Sequence, residues 1–126
     1  MSHHISPEQL ARYRETHRKR REARARALAA RREQAWAEAR KAARLLKEEF
    51  GAQRVVLFGS LVREGGRFFD ERSDIDLAVW GMGWRDLLRA WSRLNASPFT
   101  FAFDVMLIED ARPSLRERIE HEGVNL

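Results

Sequence analysis

The sequence contains no cysteine, which excludes disulfides, thiolate metal sites and cysteine nucleophiles. The redox compartment is left open, with the cytoplasm as the default expectation. Long uncharged runs are also missing, and no positively charged start leads into an apolar stretch, so neither a signal peptide nor a membrane span is expected. No Gly-x-x-x-x-Gly-Lys loop is present, which excludes a P-loop. His3, His4, His17 and His121 do not fall at the His-x-x-x-His spacing of a helical zinc site. Frayed termini and solvated helix faces account for them, and no metal other than magnesium is expected.

What is present fits one compact soluble domain: 126 residues, 44% of them hydrophobic and 34% charged. The charge is uneven. Residues 1–50 hold 14 Lys and Arg against 7 Asp and Glu, a net +7, whereas residues 51–126 hold 10 against 12, a net −2. So basic an arm beside a slightly acidic body points to nucleic acid or to an acidic partner surface, unless it is only a solvated helix.

Ser6, Pro7 and Gln9 read as a helix start with a capping box. From Glu8 to Glu49 no Gly or Pro interrupts a chain rich in Ala, Arg, Glu, Lys and Leu, all strong helix formers. Leu10 and Tyr13 are too little to anchor its first half. Trp36, Ala39, Ala43, Leu46 and Phe50 fall on one face of the second half and should pack on the domain. One unbroken helix would span roughly 65 Å, so the first half either projects or folds back.

Gly51 ends the helix, and Arg54 to Phe58 reads as a buried strand closed by Gly59-Ser60. A short helical turn and loop follow from Leu61 to Ser73, then a second strand from Ile75 to Trp80. Trp84, Leu87, Leu88, Trp91 and Leu94 recur at helical spacing, and core packing is the preferred account of both tryptophans. Pro98 introduces what reads as a long strand, with Phe99, Phe101, Phe103, Val105 and Leu107 on one face and Thr100, Ala102, Asp104, Met106 and Ile108 on the other. Asp110 and Pro113 open a last helix that runs through Glu122. The order helix, strand, loop, strand, helix, strand, helix suits a small sheet covered by helices.

The chemistry lies with three acids. On a strand Asp74 and Asp76 project the same way, about 7 Å apart, while Ile75 and Leu77 point to the core. Two carboxylates so placed repel each other and lose solvation, a cost that makes sense when cations sit between them, and hard oxygen ligands suit magnesium. Asp104 adds a third acid in the middle of an apolar strand. If that strand lies beside the second, the cluster can hold two divalent ions, one to activate an attacking hydroxyl and one to stabilise a leaving oxygen. Gly59 lets backbone amides approach phosphate oxygens, Ser60 donates a further hydrogen bond, and Arg63 can neutralise a phosphate. The turn after Ser60 would aim its N-terminal dipole at the same anion. Each piece alone has a plain alternative: a turn, a solvated strand edge, a surface arginine. Jointly they are far more specific.

Gly59-Ser60, a spacer and Ser73-Asp74-Ile75-Asp76-Leu77 together resemble the signature of the polymerase-beta-like nucleotidyltransferase superfamily, and most closely its minimal nucleotidyltransferase branch. The likeness runs roughly from Phe50 to Leu126, with the Asp104 strand and the closing Ile119 to Val124 included. It implies an α/β (α+β) fold, a small mixed sheet covered by helices. The basic helical arm, residues 1–35, would then extend from a nucleotidyltransferase domain at residues 36–126. It implies that Asp74 and Asp76 hold both magnesium ions, that Asp104 completes the catalytic metal site and assists deprotonation of the acceptor hydroxyl, and that Gly59 and Ser60 bind the triphosphate.

Minimal nucleotidyltransferases are typically paired with a small helical HEPN protein in toxin–antitoxin modules. The resemblance therefore implies a cytoplasmic antitoxin that moves AMP from ATP to a tyrosine on its toxin, in a hetero-oligomer. The alternatives are a non-catalytic antitoxin that neutralises its partner by binding, and a small-molecule nucleotidyltransferase. An intact acid triad argues against lost chemistry. For the arm a protein partner is the stronger expectation than nucleic acid, because it has few aromatics to stack bases.

Overall fold

The computed structural model describes residues 4–126, and His3 lies outside them. The first helix, α1 (Pro7–Phe50), is continuous over 44 residues. Its start is the expected capping box: Gln9 N donates to Ser6 Oγ at 3.1 Å and Ser6 N to Gln9 Oε1 at 2.9 Å. Its end is Gly51, whose φ of 71° reverses the chain. Of the two alternatives, the first half projects. Residues 7–27 are exposed, and burial on α1 is confined to Ala35, Ala39, Ala42, Ala43 and Leu46. Four alanines among these five let the helix axis lie close to the sheet.

The remaining elements are β1 (Arg54–Phe58), a 3-10 turn at Arg63–Gly66, β2 (Ile75–Trp80), α2 (Trp84–Leu94), β3 (Phe103–Leu107), a 3-10 turn at Ile108–Asp110, α3 (Pro113–Glu122) and β4 (Val124–Asn125). The sheet order is β3-β2-β1-β4, with β1 antiparallel to both β2 and β4 and β2 parallel to β3. The fold is a mixed α+β sheet with helices on both faces. Val55, Leu57, Ile75, Leu77, Val79, Phe103, Val105 and Leu107 face the core shared with α1 and α2. Alternate residues face the other way, where Val56 and Ala78 pack with Ile119 and Leu115 of α3.

Three expectations need correction. The third strand starts at Phe103 rather than just after Pro98. The Glu38 carboxylate of α1 accepts the amides of Thr100 and Phe101 and the Thr100 hydroxyl, so these donors are taken before a ladder can form. Phe101 is nonetheless buried, 6.1 Å from the Phe69 ring. Secondly, neither tryptophan of α2 belongs to the core. Trp84 and Trp91 are 62% and 49% exposed, Leu88 is 60% exposed, and Ala90 and Leu94 fill the buried face. The apolar arc of this helix is wider than the strip the sheet covers. Thirdly, Asp74 lies one residue ahead of β2 rather than on it; the ladder begins where Ile75 N donates to Ala102 O at 2.9 Å. Strand β4 was not expected at all, since two residues carry no period. No helix among the described residues is long and apolar enough to cross a membrane.

Candidate active site

The parallel pairing of β2 and β3 brings Asp76 and Asp104 into direct register. They sit on neighbouring strands, about 4.8 Å apart in the pairing direction, and point to the same face. On the other side of Asp76 the register partner is Phe58, the last residue of β1. The row Phe58, Asp76, Asp104 therefore crosses three strands at one end of the sheet, on the α3 face.

Asp74 enters from the loop that precedes β2. That loop is held by a local box in which Asp70 N donates to Ser73 Oγ at 3.0 Å, Arg72 N donates to Asp70 Oδ1 at 2.9 Å and the Ser73 hydroxyl donates to the same oxygen at 3.2 Å. Such Asx-type bonding fixes a turn without regular structure. Asp70 was not singled out from the sequence, although Asp-x-x-Ser is a readable turn signal.

Asp76 is half-buried, whereas Asp74 and Asp104 are exposed. Among the described residues none of these acids has an ion pair or a hydrogen bond from the protein. Burial first, then repulsion from Asp104 and from Asp74, pushes the Asp76 pKa up to about 6. No three acidic or histidine side chains among the described residues form a ready-made enclosure for a metal. What the fold supplies is a register-locked carboxylate pair with a third acid close enough to act on it, and among the described residues no cation paired with it. This donor chemistry fits a hard divalent cation.

Gly59 closes the site from the β1 side. Its φ is 84°, and a Cβ there would lie 2.2 Å from Asp76 Oδ2. A residue with a Cβ would have to push this carboxylate aside from a backbone conformation that L side chains rarely adopt. The chain then turns tightly, with Val62 N and Arg63 N donating to Gly59 O at 3.1 and 2.9 Å, and buried Leu61 anchors the bend. The amides of Ser60 and Leu61 make no backbone hydrogen bond among the described residues, which leaves donors near the acids. The expected short helical turn is present: Gly59 O accepts from residues three and four positions on, and a 3-10 turn at Arg63–Gly66 follows before the loop to Ser73.

Arg63 is exposed and its guanidinium lies 5.9 Å from the Phe68 ring centre. It also lines a cavity of about 110 Å³ with Phe58, Gly59, Leu115, Arg118 and Glu122. Arg118 and Glu122 were not anticipated, because only the packing of α3 on the sheet brings them beside Gly59.

A small mixed sheet that presents paired acids beside a strand-end glycine defines a nucleotidyl-transfer type of domain. The comparison with protein families agrees: residues 40–126 match the family described as Polymerase beta, Nucleotidyltransferase, and the chain belongs to it. Its function is therefore of the nucleotidyltransferase type, in a family that commonly uses a nucleoside triphosphate and a divalent metal. A search of curated proteins finds no match.

Proposed function

We propose that this protein transfers a nucleoside monophosphate, AMP from ATP, to a hydroxyl of a partner protein, the hydroxyl oxygen bonding the α-phosphorus as the α–β phosphoanhydride bond breaks and pyrophosphate leaves, and that it is the antitoxin of a HEPN-type toxin–antitoxin pair. The observation that carries the catalytic part is the Asp76–Asp104 register beside Gly59. In this reading Asp74, Asp76 and Asp104 hold two magnesium ions, with the unpaired acids and the raised pKa of Asp76 as the supporting signs of a cation site.

Magnesium, when bound, supplies charge neutralisation at the triphosphate and acidifies the acceptor hydroxyl. The chain's own residues do the rest. The Ser60 hydroxyl and the free amides of the bend hold phosphate oxygens, and Arg63 contributes charge from the cavity side. In this reading Asp104, exposed at the edge of the row, receives the hydroxyl proton. Exposure of Asp74 and Asp104 also opens the site to a macromolecular acceptor. The exposed Trp84, Leu88 and Trp91 stripe is the sort of apolar surface that protein partners cover, which favours a protein acceptor.

The test incubates the protein with its partner toxin, magnesium and labelled nucleoside triphosphates, and reads intact masses. An AMP-sized increment on the toxin that disappears with Asp74→Asn or Asp76→Asn supports transfer. Inhibition of the toxin that persists unchanged in those variants favours the binding-only alternative.

A further inference from the structure

The stripe by which α1 packs on the sheet continues along the projecting arm with a different composition. Leu46, Ala42, Ala39 and Ala35 are buried against the domain. At the same alternation of three and four residues the stripe runs on through Arg31, Leu28, Arg24, Arg21, His17 and Arg14. Alanine and leucine give way to arginine where the helix leaves the sheet.

It leaves at the end that carries the acids. Arg31 donates to the carbonyls of Asp70 at 3.3 Å and Glu71 at 3.4 Å, and lies 4.7 Å from the Phe101 ring centre. Arg24 pairs with Glu71 at 3.0 Å. Those residues lead directly into β2 and β3, beside Asp74, Asp76 and Asp104. From Arg24 back to Pro7 the helix extends about 26 Å further at 1.5 Å per residue.

The acids of the arm are segregated from this stripe. Glu8, Glu15, Glu22 and Glu33 lie about 130–170° round the helix from it at 100° per residue. Glu15 and Glu22 pair with Arg18, which leaves Arg14 and Arg21 exposed and without an ion pair among the described residues. The i,i+3 and i,i+4 pairs of a solvated helix are present on the side that carries the acids, where Glu15 pairs with Arg18 and Lys19 and Glu22 with Arg18, whereas the face through Arg14 and Arg21 carries no acid to share in them. An acidic protein helix would bring an apolar seam that needs an apolar counterpart, and the arginine face offers almost none. A phosphodiester chain needs only charge and donors, and guanidinium groups suit phosphate oxygens.

We propose that the arginine face of α1, from Arg14 to Arg31, binds the phosphodiester backbone of a nucleic acid that runs toward the acid-bearing end of the sheet. This surface lies outside the family match at residues 40–126, and the proposal does not depend on the transfer reaction.

The test is fluorescence anisotropy of the full chain with labelled single strands of about 20 nucleotides, RNA and DNA in parallel, in EDTA and without nucleotide. A labelled poly-glutamate peptide is the comparison. The wild type is expected to bind with log affinity falling linearly in log salt, at a slope of about −2 to −4. Arg14→Glu with Arg21→Glu should weaken binding by more than about tenfold and flatten that slope. Arg12→Glu with Arg26→Glu makes the same charge change on the far side and should cost less than about threefold. Circular dichroism verifies that both doubles remain helical. Binding of RNA, of DNA or of both supports the proposal and identifies the source of the phosphates. Equal losses in the two doubles, no binding to either strand, or equally tight binding of poly-glutamate would overturn it.

Discussion

Replacing Asp76 with Asn should stabilise the metal-free protein while abolishing transfer. In the folded chain the Asp76 pKa is raised from 3.8 to about 6, with burial as the largest cause and the charges of Asp104 and Asp74 next. A carboxylate whose pKa is raised on folding destabilises the fold above that pKa, because the unfolded state ionises more readily. A shift of about 2 units is worth about 3 kcal/mol in full, and solvent screening at a half-exposed group reduces this to about 1–2 kcal/mol. Asn keeps the shape beside Gly59 and removes the charge. Melting in EDTA at pH 7.5 should therefore show Asp76→Asn about 3–6 °C above wild type. The gap should close as pH falls through 6 toward 4, where wild-type Asp76 takes up its proton. Adding magnesium should raise the wild-type melting temperature and leave the variant unmoved. A variant that melts at or below wild type at pH 7.5 would refute the idea that repulsion and desolvation are stored at this acid.

Other substitutions follow from the same geometry. Gly59→Ala would set a methyl group 2.2 Å from Asp76 Oδ2 at a φ of 84°, so it should lose activity and about 1–3 kcal/mol of stability in urea unfolding. Leu46→Ala, at a fully buried position, should cost about 2–4 kcal/mol by the same measurement. Trp91→Ala, at a 49% exposed one, should change stability by less than about 1 kcal/mol. Equal costs at these two would contradict the exposure of the α2 stripe. Glu38→Ala removes the acceptor for Thr100 and Phe101 and should cost about 1–2 kcal/mol, seen as a lower urea midpoint with an unchanged slope.

Much of the architecture was readable because local signals agreed with it. Ser6 and Gln9 formed the box their spacing implied, Gly51 ended the helix, and β1 and β2 ran between the residues their composition marked. Face alternation placed Asp104 opposite Phe103 and Val105, and the structure has that arrangement. Errors arose wherever a distant residue decided the outcome. The period of two persists from Phe99 onward, yet Glu38, 62 residues before Thr100, takes the amides that would have extended β3. Helical spacing groups Trp84 and Trp91 with Leu94, but it cannot report how wide a strip the sheet will cover. At the candidate site the acids and the glycine were readable as residue types. Their union through the β2–β3 register, and the approach of Arg118 and Glu122, depend on pairing and packing that no local window contains.

Metal binding tests most directly whether these acids form one cation site. Electron paramagnetic resonance can count manganese ions bound in the presence of a non-hydrolysable ATP analogue, in wild type, Asp76→Asn and Asp104→Asn. The wild type should bind manganese, and either substitution should weaken that binding by about tenfold or more. Manganese held equally well by all three proteins would contradict the account.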